Sequence, residues 1–179
     1  FNNYNKINDD VIEVWLNILK KIPSSKLILK SSTKKENDKF KNFLQKENLD
    51  KSVIFLPTAK NFEDHMNLYK NIDIALDTFP WNGVTTSFEA IWMGIPVVTM
   101  KGYNFNSRCG ESINKNLNLA YMIADNENDY ISKAKEFLDK EKLVNTRNIV
   151  FNNLLKSPLF DGKKFSKDFL GSLEAIYNK

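Results

Sequence analysis

The stretch that decides the fold is residues 77–99, which read DTFPWNGVTTSFEAIWMGIPVVT. It begins at the end of an apolar segment, 73–77, which is typical of a short buried strand. A turn signal of Pro, Trp, Asn and Gly follows, and apolar residues then recur with the period of an amphipathic helix over 85–94. A second apolar segment, 96–100, predicts the next strand. This order indicates a crossover between parallel strands.

The same alternation continues along the chain. Further strands are predicted at 26–30 and 52–56, with a short apolar piece at 120–124. Further helices are predicted at about 9–22, 34–48, 61–71, 106–116, 126–141, 142–155 and 163–178. The strands are continuously apolar, as expected when helices cover both faces of a sheet. The sequence therefore predicts an α/β fold with a Rossmann-like parallel sheet and helices on both faces.

Composition excludes several classes of protein. With 42% hydrophobic and 27% charged residues, the 179-residue chain can build a core and is not of disordered type. No apolar run approaches the roughly 20 residues that a membrane-spanning helix needs. Cys109 is the only cysteine and His65 the only histidine, which excludes an internal disulfide and a multi-histidine metal site. We expect a cytoplasmic protein.

The net charge of +4 allows an anionic ligand without requiring one. The lysines are spread along the chain and alternate with acids, which indicates solvated helix surfaces rather than a stripe for nucleic acid. Residues 1–3 read as the end of a strand whose beginning is missing, so we expect a fragment of a longer protein. Residues 1–179 are predicted to form one domain.

The start of the helix after the turn is a candidate anion site. Asn82 and Gly83 favour a tight turn with unusual backbone angles, so that the helix begins near Val84 or Thr85. Its first amides lack helical partners and could bind a phosphate, with hydroxyls from Thr85 and Thr86. The competing interpretation is structural, because threonine is a good helix N-cap.

Four further side chains are candidates, each with a structural alternative. Glu89 lies one turn below the threonines, where it could bind a ribose diol or complete a capping box. Lys6, in the first loop, could reach a diphosphate or be solvated. His65 could stack on a base, bond to it, or be structural. Cys109 follows Arg108 and could be acidic, or a small buried hydrophobe.

Several motifs occur in register with a known family. They are FNNYNKI, VIFLP, EDHMNLYKNIDIALDTFPWNGVTTSFEAIWMGIPVVTM, SRCGES and SPLFDGKKF. Together they resemble the C-terminal half of the catalytic region of O-GlcNAc transferase and its bacterial relatives, the family 41 glycosyltransferases. The resemblance covers essentially the whole chain. It implies the second Rossmann-like domain of a GT-B architecture, which binds the nucleotide of a sugar donor, usually UDP-N-acetylglucosamine.

The resemblance also implies roles for single residues around the phosphates. Lys6 matches the catalytic lysine that contacts the diphosphate and stabilises the leaving group. Asn3 stands where the family usually has a glutamine near the same phosphates. Thr85 and Thr86 match the phosphate-binding pair. Val84 stands where the family usually has a histidine, and the change is mild if only the backbone amide at this position contacts phosphate.

On the nucleoside side, Glu89 stands where the family has an aspartate on the ribose. His65 matches the histidine that packs on the uracil, and Ala59 matches a residue whose backbone pairs with the base. Phe62 stands at the position where the family has a uracil-binding lysine. The donor could therefore carry a different nucleotide or sugar.

The implied reaction is an inverting sugar transfer that needs neither metal nor cofactor. The implied partners are the N-terminal catalytic half and tetratricopeptide repeats of the same protein, with an acceptor that could be a protein. We expect the isolated chain to bind donor weakly and to transfer nothing. The alternatives are a non-catalytic structural or binding module, or another UDP-sugar enzyme such as an epimerase.

Overall fold

A computed structural model describes residues 1–30 and 33–178. In these residues the strands are β1 Leu27–Lys30, β2 Val53–Leu56, β3 Ala75–Leu76, β4 Val97–Met100 and β5 Ile123–Ala124. The α-helices are α1 Asp9–Lys21, α2 Lys34–Glu47, α3 Phe62–Leu68, α4 Thr85–Trp92, α5 Cys109–Asn116, α6 Glu127–Glu136, α7 Lys140–Leu154 and α8 Gly162–Tyr177. The predicted alternation of strands and helices is confirmed.

All strand pairs are parallel, but the described residues form two sheets rather than one continuous sheet. β1 pairs with β2, with Leu27 opposite Val53. The other sheet has the order β3-β4-β5, with Ala75 opposite Val97 at its start. Parallel pairing with connecting helices is the predicted α/β architecture.

A cavity of about 570 Å³ separates the two sheets. Residues 26–30 of the first sheet and 71–77 of the second line it, together with side chains of α1 and α6. β1 and β3 therefore do not pair with each other across it. Phe1 also lines the cavity, although residues 1–3, which were predicted to end a strand, are in no strand.

Helices cover both faces of the sheets, as predicted. α1 packs against α6, and α4 packs against α5 and α7. α1 forms because Asn8 caps it, accepting from the Val11 amide at 2.8 Å, and because its apolar residues fall on one face. The apolar residues on this face of α1, with one in the loop after it, are all buried: Val11, Val14, Trp15, Ile18, Leu19 and Ile22.

Several predicted elements are longer than the corresponding elements of the structure. The helix predicted at 61–71 ends at Leu68 and continues as a 3-10 turn, Tyr69–Asn71. The helix predicted at 106–116 begins only at Cys109, because a capping box closes the preceding 3-10 turn Phe105–Ser107. The apolar piece at 120–124 is a 3-10 turn followed by β5. Each difference lies at an element end, where short turns compete with regular structure.

The last helix, α8, buries none of its residues. Its large apolar side chains, among them Phe165, Phe169 and Ile176, are exposed in the structure. No helix in the described part of the chain is long and apolar enough to cross a membrane.

Candidate functional site

The turn between β3 and α4 is built around the buried side chain of Asn82. Its Nδ2 donates to the Thr78 carbonyl at 2.9 Å, and its Oδ1 accepts from the Gly110 amide at 3.2 Å. The Asn82 amide donates to the carbonyl of Asn106 at 3.0 Å. These bonds fix the turn to the loop that follows β4 and to the first residues of α5.

Gly83 is required here by space. A Cβ at this position would lie 2.7 Å from polar side-chain atoms of Asn2, Thr86 and Ser87. The Gly83 amide donates to Asp77 Oδ1 at 2.6 Å, which holds the turn close to the end of β3. The prediction of unusual backbone angles is wrong, because Gly83 is not among the described residues with positive φ. Close packing is the reason for the glycine.

The first turn of α4 has free amides. Val84 is the N-cap residue, and no described side chain caps the helix. In the part of the chain that the structure describes, the amides of Thr85, Thr86 and Ser87 donate no hydrogen bond; the Phe88 amide is the first to do so, to the Val84 carbonyl at 2.9 Å. The threonine N-cap interpretation is therefore wrong. The positive end of the helix dipole is open to an anion.

Lys6 reaches the same turn. Its Nζ donates to the carbonyl of Asn82 at 2.8 Å and lies 5.6 Å from the centre of the Trp81 ring. The loop that carries Lys6 is a 3-10 turn, Tyr4–Lys6. The structure thus places the ammonium group of Lys6 at the turn that leads into α4.

The asparagine next to the threonines is Asn2 rather than Asn3. Asn3 is exposed, and its side chain accepts from the Asn5 amide at 3.0 Å, which caps a local turn. Asn2 Oδ1 accepts from Thr86 Oγ1 at 2.8 Å. A phosphate oxygen would have to replace Asn2 as the acceptor of this hydroxyl, whereas the Thr85 side chain is exposed.

A chain of hydrogen bonds connects Lys30, His65 and Glu89. Lys30 Nζ lies 3.1 Å from His65 Nδ1, and His65 Nε2 lies 2.8 Å from Glu89 Oε2. Because an ammonium group only donates, Nδ1 is the acceptor and Nε2 carries the proton that it donates to Glu89. The hydroxyl of Tyr69 also donates to Glu89 Oε2, at 3.1 Å.

This network limits the contacts that His65 and Glu89 can make with a ligand. Both ring nitrogens of His65 are used within the protein, so a base could contact only a face of the ring. Both bonds to Glu89 go to Oε2, which leaves Oε1 for a further donor such as a ribose hydroxyl. Ala59 is half-buried in the loop before α3, and Phe62 in the first turn of α3 is 70% exposed.

Burial shifts the pKa values of two titratable groups near the turn. Burial raises the pKa of Asp77 from 3.8 to about 6, although hydrogen bonds from Gly83, Thr99 and Thr78 partly oppose the rise. Burial, followed by the charge of Asp77, raises the pKa of the half-buried Cys109 thiol above 9.0. Of the two interpretations of Cys109, the acidic thiol is therefore wrong.

The sequence prediction missed four residues of this site: Asn2, Lys30, Tyr69 and Asp77. For Asp77 a signal exists, since an acid ends an otherwise apolar strand directly before the turn. The partners of the other three lie up to 84 residues away in sequence, as for Asn2 and Thr86. Spacing alone cannot identify such pairs.

Comparison with known proteins places this site in context. The family model described as glycosyl transferase family 41 matches residues 1–169 of this chain. The chain is 37% identical over 182 residues to the SPINDLY protein of Solanum lycopersicum, which is named a probable UDP-N-acetylglucosamine–peptide N-acetylglucosaminyltransferase. It is 30% identical over 180 residues to the UDP-N-acetylglucosamine–peptide N-acetylglucosaminyltransferase of Caenorhabditis elegans.

A solved structure has the same fold. A mutant O-GlcNAc transferase from Thermobaculum terrenum superposes with a TM-score of 0.92 over 99% of this chain, at 26% sequence identity. The match covers 35% of that protein's chain. The chain likewise spans 19% of the tomato relative and 16% of the nematode relative.

Proposed function

Because the chain belongs to glycosyl transferase family 41, we propose that it is the nucleotide-sugar-binding domain of an inverting, metal-independent glycosyltransferase. The donor is a UDP-sugar such as UDP-N-acetylglucosamine, which the names of the relatives contain. The observation that carries the proposal is the open start of α4 with Lys6 beside it.

The proposed chemistry follows from where charge develops. When an acceptor hydroxyl attacks the sugar, the bond to the diphosphate breaks and negative charge grows on the leaving phosphate. The free amides of Thr85, Thr86 and Ser87 and the ammonium of Lys6 are fixed donors that stabilise this charge. A single displacement inverts the configuration at the sugar carbon. These groups supply the positive charge that a divalent ion provides elsewhere.

The nucleoside would lie one turn further along α4, over the network of Lys30, His65 and Glu89. Glu89 Oε1 accepts a ribose hydroxyl in this arrangement, and a face of His65 packs on the base. The acceptor is a peptide, as in the names of the relatives, and is held by parts of a longer polypeptide. We expect the 179 residues alone to bind donor and to transfer no sugar.

We also propose that the cavity between β1 and β3 accepts a parallel strand. Inserting one there would join the two sheets, in an order in which the first strand lies at the centre, as in doubly wound folds. The amino group of Phe1 donates to the Tyr69 hydroxyl at 3.1 Å, and burial lowers the pKa of this amine to about 6.

The alternative of a non-catalytic module is favoured by two observations. The Thr86 hydroxyl donates a hydrogen bond to Asn2 Oδ1, and both ring nitrogens of His65 form hydrogen bonds within the protein. The same network could serve stability alone.

A thermal-shift panel of nucleoside diphosphates separates these functions. For a UDP-sugar transferase, UDP should stabilise the chain more than ADP or GDP, and the longer protein should transfer sugar from its UDP donor to peptide. A larger shift with another nucleotide would overturn the base assignment. No shift with any of them would favour the non-catalytic module. An epimerase would convert the UDP-sugar to an epimer in the absence of any acceptor.

A further inference from the structure

Asp77 is the most buried carboxyl group near the turn, with 1% of its surface exposed. Its Oδ1 accepts from the amides of Thr78 at 2.9 Å and Gly83 at 2.6 Å. Its Oδ2 accepts from Thr99 Oγ1 at 2.8 Å, on the neighbouring strand β4. Asn2 Nδ2 completes the set at 3.4 Å. One carboxylate therefore ties the first loop, the turn and β4 together.

The donors to Asp77 are dipoles rather than cations. Two backbone amides, one hydroxyl and one carboxamide stabilise the buried carboxylate in the described structure. The start of α5 closes over it, since a Cβ on Gly110 would lie 2.8 Å from Asp77 Oδ2. The backbone carbonyl of Asp77 accepts from Tyr130 on α6 at 2.7 Å. Burying a carboxylate is costly without such donors, and these four hydrogen bonds offset part of that cost while joining three segments of the chain.

The bond to Gly83 has a direct consequence for α4. It turns the Gly83 amide inward, toward β3, and so fixes where the chain enters the helix. The following amides, from Thr85 to Ser87, are left without protein partners among the described residues. Neutral hydrogen bonds alone could hold a turn, but several charge-assisted bonds to one carboxylate hold it more rigidly.

We propose that Asp77 is a positioning residue of the diphosphate site, which holds the turn so that the first amides of α4 point at the phosphates. This inference rests on the proposed function. Asp77 contacts no substrate in this account; it acts through Gly83. Its removal should therefore weaken binding of the phosphates and leave binding of the nucleoside unchanged.

The test compares UDP with uridine in NMR titrations of backbone amides of this chain. In Asp77→Ala, the affinity for UDP should fall roughly tenfold or more, while the affinity for uridine should stay within about twofold, because one charge-assisted bond to Gly83 is lost. Asp77→Asn keeps one carbonyl oxygen for Gly83 and should retain most of the UDP affinity. Glu111→Gln is the matched control, since Glu111 is also buried but bonds to Arg108 and Lys115 on its own helix.

A merely structural role would weaken UDP and uridine equally, and that result would overturn the proposal. Unchanged UDP affinity in Asp77→Ala would overturn it as well. If Asp77→Ala does not fold, Thr99→Val removes one donor to the same carboxylate and should show the same difference to a smaller degree. Absence of UDP binding by the unmodified chain would instead overturn the proposed function. Faster exchange of the hydrogen-bonded amides of Asn82 and Phe88 in Asp77→Ala would then still show that Asp77 sets the turn.

Discussion

Replacing Asp77 by asparagine should change the pH dependence of stability. The folded chain binds the Asp77 proton more tightly than the unfolded chain, with a pKa of about 6 against 3.8. Each tenfold difference in proton affinity corresponds to about 1.4 kcal/mol, so the ionised carboxyl costs the fold about 3 kcal/mol. That is a large share of the roughly 5–15 kcal/mol that stabilises a typical domain.

The sign follows from proton counts. Between the two pKa values the unfolded state holds fewer protons at this site, so the free energy of unfolding falls as pH rises from 3.8 to about 6. Below this range both states are protonated, and above it the full cost is present. Asparagine cannot ionise. The stability of Asp77→Asn minus that of the unmodified chain should therefore grow by about 3 kcal/mol between about pH 3 and about pH 7.

The assay is urea unfolding, followed by tryptophan fluorescence, at several pH values. Any fixed effect of the new amide group on packing adds the same amount at every pH and cancels in the difference. Glu111→Gln serves as a control of opposite sign, because hydrogen bonds from Arg108 and Lys115 lower the pKa of Glu111 to about 2. Its contribution is present above pH 4.5 and is lost as pH falls toward about 2. A stability difference for Asp77→Asn that stays constant across this range would refute the reasoning.

Three further predictions concern other parts of the chain. Cys109, whose thiol pKa is raised by burial, should react with iodoacetamide near neutral pH several times more slowly than glutathione; an equal rate would contradict the shift. A six-residue apolar extension before Phe1 should raise Tm and slow amide exchange in Leu27–Lys30, while a Gly/Ser extension of equal length does neither; equal behaviour of the two would contradict a strand-accepting cavity. Glu89→Ala should abolish a roughly tenfold preference for UDP over 2′-deoxy-UDP, whereas a preference that persists would remove the ribose role of Glu89.

Local signals in the sequence predicted most of the fold. Apolar periodicity identified α1 and the strands, because burial acts residue by residue along an element. The sequence predicted that α4 begins near Val84 or Thr85, because the turn residues before it mark the end of the preceding strand. The helix begins at Thr85. Residues 1–3 were predicted to end a strand, but pairing depends on neighbours that local sequence does not contain.

The candidate site was predicted only in part. Lys6 and the threonine pair lie near one turn, although Lys6 follows no described strand, and diphosphate binding there stays a prediction. Asn2 and Tyr69 were missed because their bonds connect residues far apart in sequence. Thr86 alone could have been either a cap or a ligand-binding residue, and the cap geometry at Val84 excludes the cap.

The central claim is that the start of α4 and Lys6 form one diphosphate site. Calorimetric titration of this chain with UDP tests it most directly, with Lys6→Ala as the variant and Lys20→Ala, on the far end of α1, as the charge-matched control. We expect Lys6→Ala to weaken binding roughly tenfold or more and Lys20→Ala to leave it unchanged, because only Lys6 lies at the turn. Equal affinities for all three chains, or no heat of binding at about millimolar UDP, would contradict the claim.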